Sequence, residues 1–460
     1  MESKELTIGI IADIHGNIEA LRTCTEEMRK RGCTEFWFLG DYVSDTAGAR
    51  ETLDFLYRLR ERFPCRFLRG NREEYFLRYR DSREGEENGV RWLPNSASGN
   101  LLYTYRCLTE EDFDFFRELP ICFRVEKEGY PSVTCCHGSP EASGELLELT
   151  GERVRQVLKG LDTDFLIAAH THRQGILHAE GKCCINTGSC GLAIGAPGYL
   201  HAVLLHGQNG EFSPELLKLP YNVNETIRRI FTSGLFDMAP WFMNNNIHTL
   251  LYGIDVTAEF VGLAKKLESG RRKAPAVWPS ISEESFRDAA EHLGIPDYSY
   301  VRYFRKACPK DREKLADFYR SLYGGPAGWH EGYPGPETIE FDLRRDALFL
   351  LEEPENGILA SISLDLDRVV EGLPFWDPEL APVGELSRIG VRRELWGKGL
   401  ARVLLALMFT ELRSRGYAAC HLLVCEEHSA ALHCYLRFSF KRAGKCELYG
   451  HSYLALEMKI

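Results

Sequence analysis

Short apolar runs alternate with amphipathic stretches along the first half of the chain. The runs are rich in β-forming residues, and each ends at or near Gly, Asp, Asn or His. They lie at residues 7–12, 36–39, 66–68, 133–136, 165–169 and 183–185. Helical patterns at residues 18–30 and 49–63 lie between the first three runs. Because apolar runs alternating with helices are typical of wound sheets with buried strands, this half of the chain predicts an α/β fold.

The pattern changes twice further along the chain. Helical patterns with few strand signals follow residue 221, at 224–231, 238–243, 257–267 and 283–293. The basic run Arg271-Arg272-Lys273 lies between two of these helices and is expected to be a solvated linker. Strand and helix patterns then alternate again from about residue 298. We therefore predict three segments, which are an α/β domain at 1–221, a helical extension at 222–296 and a second α/β domain at 297–460.

The last segment has its own order of elements. Strands are predicted at 301–305, 347–352, 358–364, 386–391, 419–425 and 453–459. Helices are predicted at 310–322, 399–415 and 430–437. A cluster of Gly and Pro at residues 324–336 predicts a loop.

Composition narrows the class of protein. The chain has 460 residues, 44% of them hydrophobic and 27% charged, so it is a globular chain. Its net charge of −11 makes nucleic acid and anionic membranes unlikely partners. There is no run of 18 apolar residues and no leader-like N-terminus, so we expect no membrane span and a cytoplasmic location. The 15 cysteines include no C-x-x-C pair, which argues against a zinc ribbon.

Polar side chains follow the predicted strands of the first domain. They are Asp13, His15, Asp41, Asn71, His137, His170 and His172, several of them next to glycine. The carboxyl ends of parallel strands meet at one edge of a sheet, so these side chains are expected to lie close together. Carboxylates mixed with imidazoles suit Mn, Fe, Zn or Ni. Two such divalent ions can clamp a phosphate and activate a water, and Asp41 is placed to bridge them.

The blocks D-x-H, GD, GN, HG and H-x-H, in this order over residues 1–220, resemble the calcineurin-like metallophosphoesterase family. The resemblance implies a four-layer α/β/β/α sandwich that hydrolyses phosphate esters, with diesters favoured by analogy. It assigns Asp13, His15, Asp41 and His172 to one metal ion. It assigns Asp41, Asn71, His137 and His170 to the other.

The family usually has a histidine after the Gly-Asn pair, where this chain has Arg72. An arginine stays charged and is a poor proton donor, but it can hold phosphoryl oxygens. We therefore expect Arg72 to bind the substrate phosphate. The alternative is a surface ion pair with Glu73 or Glu74.

A glycine-rich turn precedes the long helix of the last segment. It contains Val391, Gly397, Lys398, Gly399, Leu400 and Ala401. Such a turn exposes backbone N–H groups at a helix N-terminus, where an anion can bind. The spacing of its glycines fits neither the Walker loop nor the dinucleotide fingerprint.

This turn resembles motif A of the GNAT N-acetyltransferases, with Trp396 where Arg or Gln is usual. The resemblance covers about 298–460 and extends to His428-Ser429-Ala430-Ala431, Tyr435 and Phe438-Ser439-Phe440. It implies a splayed mixed sheet that binds acetyl-CoA, with the pyrophosphate on the Gly397–Ala401 turn. Tyr435 is then the acid that protonates the CoA thiolate, and Glu385 is a candidate base for the amine. The loop with Trp329 and Tyr333 either shapes the acceptor pocket or lies in solvent.

The sequence therefore predicts a two-enzyme chain that acts on a small-molecule phosphate ester and on an amine acceptor. Two alternatives stay open. One is a binding or regulatory protein in which one module has lost its chemistry. The other is a nuclease.

Overall fold

The computed structural model describes residues 6–82 and 91–460. The chain forms two compact units, Met1–Asp297 and Tyr298–Ile460. The first five residues, on which the expectation of no leader partly depends, lie outside the described residues. Within the described part of the chain, no helix has both the length and the apolar character that a membrane crossing requires.

The first unit contains two five-stranded sheets. Their strands are β1 (Leu6–Ile11), β2 (Glu35–Phe38), β3 (Cys65–Phe67), β4 (Cys122–Val125), β5 (Val133–Cys136), β6 (Phe165–Ala168), β7 (Gly175–Ala179), β8 (Lys182–Asn186), β9 (Tyr199–Gln208) and β10 (Glu211–Pro220). One sheet has the order β10-β9-β1-β2-β3, and the other has the order β4-β5-β6-β8-β7. Strands β1, β2 and β3 are parallel, as are β5, β6 and β8, so the carboxyl ends of each set lie at one edge.

The helices of the first unit lie between and after these strands. They are α1 (Ile18–Lys30), α2 (Ala49–Arg60), α3 (Asn71–Asp81), α4 (Gly99–Cys107), α5 (Glu110–Glu118), α6 (Glu152–Gly160), α7 (Val223–Thr232), α8 (Leu235–Met238), α9 (Pro240–Tyr252), α10 (Thr257–Arg272) and α11 (Glu283–Leu293). Helix α1 begins where the Asn17 side chain accepts a hydrogen bond from the Ala20 N–H, and it ends in basic residues.

One hydrophobic core lies between the two sheets. Ile10 and Val203 of the first sheet share it with Val133, Ile167 and Ile185 of the second. A separate core under α6 covers the outer face of the second sheet. Met28 of α1 packs against Gly9 of β1 on the outer face of the first sheet. The predicted four-layer α/β/β/α sandwich is confirmed.

The segment 222–296 is helical, as predicted, and its helices belong to the first unit. The run Arg271-Arg272-Lys273 is exposed, as expected, but the expectation of a linker there is wrong. Arg271 and Arg272 form the last turn of α10, where Arg271 pairs with Asp288 and Arg272 pairs with Glu268. Basic residues suit the negative end of a helix dipole, so the run ends a helix.

The second unit is built on one seven-stranded sheet of order β11-β12-β13-β14-β15-β17-β16. Its strands are β11 (Phe304–Lys306), β12 (Leu348–Glu353), β13 (Gly357–Asp365), β14 (Val383–Val391), β15 (Ala419–Cys425), β16 (Lys441–Leu448) and β17 (His451–Lys459). Its helices are α12 (Arg312–Leu322), α13 (Pro336–Arg344), α14 (Arg368–Glu371), α15 (Leu400–Ser414) and α16 (Ser429–Tyr435). The strand predicted at 301–305 is wrong over most of its length, because Ser299–Tyr303 form a 3-10 helix.

The middle of this sheet is splayed. Parallel strands β14 and β15 pair only from Val383 to Glu385 on one side and from Ala419 to His421 on the other. Beyond Glu385 the two strands share no further ladder pairs. The predicted mixed, splayed sheet is confirmed, and the gap between the strands opens next to the glycine-rich turn.

Candidate functional sites

Seven predicted side chains meet at the carboxyl ends of the parallel strands of the first unit. Asp13 and His15 follow β1, Asp41 follows β2, Asn71 opens α3, His137 follows β5, and His170 and His172 follow β6. All but His170 and His172 are buried, and those two are partly buried. The fold thus brings together residues that are up to 159 positions apart in the sequence.

The backbone at these positions is unusual. Asp13, His15, Asp41, His170 and His172 all have positive φ, between 51° and 65°. A left-handed residue other than glycine costs about 1–3 kcal/mol, and such strain gathers at functional sites. The strained backbone persists because hydrogen bonds between neighbouring turns stabilise it. The Asp13 N–H donates to the Gly40 carbonyl at 3.2 Å, and the His15 N–H donates to the Asp41 carbonyl at 2.9 Å.

The ligand-type atoms form two neighbouring groups. In the first, Asp13, His15 and His172 each offer an atom within 4.8 Å of the others. The His15 and His172 Nε2 atoms are 3.0 Å apart, and Asp13 Oδ1 lies 3.3 Å from His172 Nε2.

The second group contains Asp41, His137 and His170. Asp41 Oδ2 lies 3.4 Å from His137 Nε2, which is also 3.1 Å from Asn71 Oδ1. Asp41 Oδ2 lies 3.8 Å from His15 Nε2 as well, so this carboxylate faces both groups. Gly70 permits the approach of α3, because a Cβ there would lie 2.2 Å from Asp41 Oδ1.

The ring orientations leave the Nε2 atoms available. His137 Nδ1 lies 2.7 Å from the Leu39 carbonyl oxygen, and His172 Nδ1 lies 3.1 Å from that of Leu192. A carbonyl can only accept, so each Nδ1 carries a hydrogen, and each Nε2 is the nitrogen that faces the cluster. Hydrogen bonds of this kind orient metal-binding histidines.

The electrostatics of the cluster favour cations. Burial opposes ionisation of Asp13, but attraction to His172 and His137 lowers its pKa below the ordinary value. Burial likewise opposes ionisation of Asp41, but attraction to His137 and His15 lowers its pKa below the ordinary value. Asp13 Oδ1 is buried and has no hydrogen-bond partner. Two buried carboxylates with an unpartnered oxygen need positive partners, so the donor set fits divalent transition metals.

Arg72 lies at this site, but its ion pair is not the one considered from the sequence. Its Nη2 lies 2.8 Å from Asp45 Oδ2, and its backbone N–H donates to Asp41 Oδ1 at 2.9 Å. The alternative of a surface pair with Glu73 or Glu74 is therefore wrong. Asp45 also lies 3.1 Å from His15 Nδ1, so one carboxylate joins a predicted ligand to Arg72.

Glu73 has a structural role beside the site. Its buried carboxylate accepts hydrogen bonds of 2.9 Å from the backbone N–H groups of Asp41, Tyr42 and Gly70. Burial and the nearby Asp41 raise the pKa of Glu73 to about 7. This role was not predicted from the sequence, although a Glu three residues after Gly70 matches the capping pattern of a helix N-terminus.

The helical extension also reaches the site. Asn246 of α9 donates from Nδ2 to the Asp45 backbone oxygen at 2.8 Å, and Asn100 of α4 donates to Asp45 Oδ1 at 2.7 Å. These two bonds fix the loop that carries Asp45. No sequence pattern had indicated a link between residues 222–296 and the cluster of seven ligand-type side chains described above, which we call the metal-type cluster.

The second unit contains a cavity of about 500 Å³ between the splayed strands. Val391, Gly397, Gly399, Leu400 and Ala401 line it. Lys398 does not; its N–H closes the turn on the Leu395 carbonyl at 3.2 Å. Gly397 and Gly399 have φ of 78° and 83°, a conformation that favours glycine. Helix α15 starts here, so its first N–H groups face the turn without intrahelical partners. These features fit a bound anion.

Glu385 and Tyr435 line the same cavity. Burial and the nearby Asp365 raise the pKa of Glu385 to about 8. Burial raises the pKa of the Tyr435 phenol well above its ordinary value, so the group keeps its proton. Trp329 and Tyr333 also line the cavity, which places the predicted acceptor loop at its wall. Trp396 donates from Nε1 to the Val391 carbonyl at 2.7 Å and so braces the turn.

Two family models match the chain. Residues 6–174 match calcineurin-like phosphoesterase, and residues 314–440 match the acetyltransferase (GNAT) family. An uncharacterised protein of Methanocaldococcus jannaschii is 22% identical over 241 residues, which are 50% of this chain and 93% of that protein. A mycothiol acetyltransferase of Cellulomonas flavigena is 33% identical over 105 residues, which are 22% of this chain and only 29% of that protein. A solved metallophosphoesterase from Sphaerobacter thermophilus is 18% identical, covers 55% of this chain and 100% of its own, and has a TM-score of 0.43.

The two family models support a phosphoesterase joined to an acetyltransferase. Residues 6–174 are similar to the calcineurin-like phosphoesterases, and residues 314–440 are similar to the GNAT acetyltransferases. Divalent metal ions and acetyl-CoA are the cofactors that these two families imply.

Proposed function

We propose that the first unit is a dinuclear metal-dependent phosphodiesterase for small-molecule esters, and that the second unit transfers acetyl groups from acetyl-CoA to an amine. The observation that carries the first part is the convergence of ligand-type side chains in two neighbouring groups, one of which contains the buried, unpartnered Asp13 Oδ1. The cavity bounded by the glycine turn carries the second part.

In this proposal one metal ion is held by Asp13, His15, Asp41 and His172, and the other by Asp41, Asn71, His137 and His170. Mn, Fe, Zn or Ni would suit the mixed oxygen and nitrogen donors. When bound, such ions supply Lewis-acid stabilisation of phosphoryl oxygens and a water of lowered pKa. The chain itself orients the ligands, through the Leu39 and Leu192 carbonyls and through Asp45.

Arg72 is proposed to hold a phosphoryl oxygen and to stabilise charge that develops during the reaction. Its guanidinium is anchored by Asp45, and its side chain is 21% exposed. A guanidinium that stays charged does not protonate the leaving group, so the substrate is expected to have an acidic leaving group or to take its proton from water.

Hydrolysis of a generic aryl phosphodiester by the full chain tests the first part. Chelation should abolish turnover, and Mn²⁺ should restore it. Asp41→Asn should lose nearly all activity, whereas Asp54→Asn, at a partly buried residue paired with Arg50, should behave as the native chain. No turnover of diester, monoester or single-stranded nucleic acid with any divalent ion would favour a degenerate module. A preference for nucleic acid would favour the nuclease.

The role of Arg72 is tested with Arg72→Ala and Arg72→Lys on aryl esters of graded leaving-group pKa. The proposal predicts a rate loss of about 10²–10³ for alanine, typical of a lost transition-state donor. The loss should be similar across the series, since no proton is transferred. A loss that grows with leaving-group pKa would instead indicate proton donation.

In the second unit, Glu385 is proposed to take the proton of the acceptor ammonium, directly or through water. Tyr435 is proposed to give a proton to the departing thiolate. Acetyl-CoA should raise the melting temperature of the chain. Tyr435→Phe should retain that shift and lose most of the rate of transfer; an unmoved melting curve for the native chain would contradict the proposal.

A further inference from the structure

The cavity of the second unit has two chemically different ends. One end is the glycine turn and the N-terminus of α15, which suits phosphates. The other end is lined by Asp365, Asp367 and Glu385 together with aromatic side chains. The acceptor has to reach the reacting carbonyl from this second end, so its lining determines which amines fit.

The charges at this end do not cancel. Asp365 and Asp342 are both bound by Arg388, and Arg345 lies 3.3 Å from Asp342. These two carboxylates are therefore matched by two guanidinium groups. Among the described residues, no comparable ion pair is seen for Glu385 or Asp367, and Arg388 attracts Glu385 only weakly.

Glu385 and Asp367 are connected to each other. The Asp367 N–H donates to Glu385 Oε2 at 3.1 Å, and the Tyr449 hydroxyl donates to Asp367 Oδ2. Glu385 is only 8% exposed, so its carboxyl group is held in a confined space beside the cavity. A cationic ligand would supply the positive partner that the described residues do not give to Glu385 and Asp367.

The rest of this end is apolar and aromatic. Tyr333, Tyr449, Tyr453 and Val370 line it, and Tyr333 and Tyr449 are 42% and 66% exposed. Aromatic faces attract ammonium groups and also pack against flat or aliphatic bodies. The guanidinium of Arg388, which could have received a carboxylate, is already occupied on both sides by Asp342 and Asp365.

We propose that the acceptor is a small primary amine on an uncharged, largely apolar body, and that Asp367 and Glu385 dock its ammonium while the tyrosines hold the body. The inference rests on the proposed acetyltransferase function. It disfavours α-amino acids, because their carboxylate would face Asp367 and Glu385 without a free cation.

A pair of acceptors that differ only in the carboxylate tests this. With the full chain at saturating acetyl-CoA, release of the CoA thiol is measured with 2-phenylethylamine, with phenylalanine and with a short peptide bearing a free N-terminus. The amine should exceed phenylalanine by at least about tenfold in kcat/KM, as expected when like charges are juxtaposed. Equal or better use of phenylalanine, or preference for the peptide, would overturn the inference.

Variants separate docking from chemistry. Asp367→Asn should raise KM for 2-phenylethylamine about five- to tenfold and leave kcat within about twofold, because the residue binds the ammonium without taking its proton. Asp317→Asn, an exposed residue of α12, is the matched control. An unchanged KM in Asp367→Asn would refute the docking role.

The experiments distinguish a failure of the proposed acetyltransferase function from a failure of the inference about its acceptor. If acetyl-CoA gives no thermal shift, the proposed acetyltransferase function fails and this inference fails with it. If acetyl-CoA binds and only carboxylate-bearing or peptide acceptors are used, the function stands and this inference alone is wrong. If acetyl-CoA binds and no amine is used, both the proposed transfer to an amine and this inference are wrong.

Discussion

Replacing Asp45 by asparagine tests how the first unit prepares its ligands. Asp45 Oδ2 lies 3.1 Å from His15 Nδ1 and 2.8 Å from Arg72 Nη2, and Asp45 Oδ1 accepts from Asn100. The substitution keeps the shape and can keep the bond from Asn100. The asparagine places its NH₂ group next to His15 Nδ1 and Arg72 Nη2, which both donate hydrogens in the native chain. His15 Nδ1 can then meet it only as an acceptor, which moves the ring hydrogen to Nε2, the atom that faces the cluster.

The expected loss follows from that change of tautomer. Removing the carboxylate partner of a metal-binding histidine costs about 10–100-fold in metal affinity. That factor corresponds to about 1.4–2.7 kcal/mol. Arg72 also loses its counter-ion, so the catalytic rate should fall beyond what added metal can restore.

The assay is a Mn²⁺ titration of the metal-free chain, followed by diester hydrolysis at saturating Mn²⁺. Asp54→Asn, in a partly buried pair with Arg50, controls for the loss of one charge. Circular dichroism verifies that the variant is folded. If Asp45→Asn binds Mn²⁺ and turns over within about twofold of the native chain, the role assigned to Asp45 is wrong.

Three further outcomes are expected. Glu73→Gln leaves at least one of three buried N–H groups without its acceptor, so urea unfolding should show a loss of about 1–3 kcal/mol, while Glu74→Gln should change little. Gly399→Ala should weaken acetyl-CoA binding severalfold, since a side chain at φ 83° costs about 1–2 kcal/mol; Gly416→Ala, with φ 85° away from the cavity, should cost stability without changing binding. The rate of acetyl transfer should rise with pH through about 8, because Glu385 acts as a base only when ionised and its pKa is raised to about 8; a profile that keeps this step in Glu385→Gln would exclude it as the titrating group.

The metal-type cluster was predictable because each member follows a buried strand, and a parallel sheet collects such positions at one edge. Asp45 was not predictable. It lies four residues beyond Asp41 in a loop with no periodic pattern, and its partners are distant in the sequence. Arg72 lies beside the cluster, and its partner depends on how that loop folds.

Other features were present in the sequence and were missed. Strands β9 and β10 are joined by Asn209-Gly210, both with positive φ, which is the strongest short signal for a hairpin. Thr109 and Asp112 form a capping box at the start of α5. The splay between β14 and β15 has no such local signal, because it depends on where two distant strands stop pairing.

The left-handed backbone at five of the cluster residues has a consequence for how this domain can change over generations. Asp, Asn and His are the side chains that best tolerate that conformation, and they are also the ones that bind metals. β-Branched side chains would strain the left-handed backbone at these positions, whatever their chemistry. Substitutions at these positions are therefore expected to favour Asn and Gly, which keep the backbone conformation. A descendant protein with such substitutions would lose its activity and keep its fold.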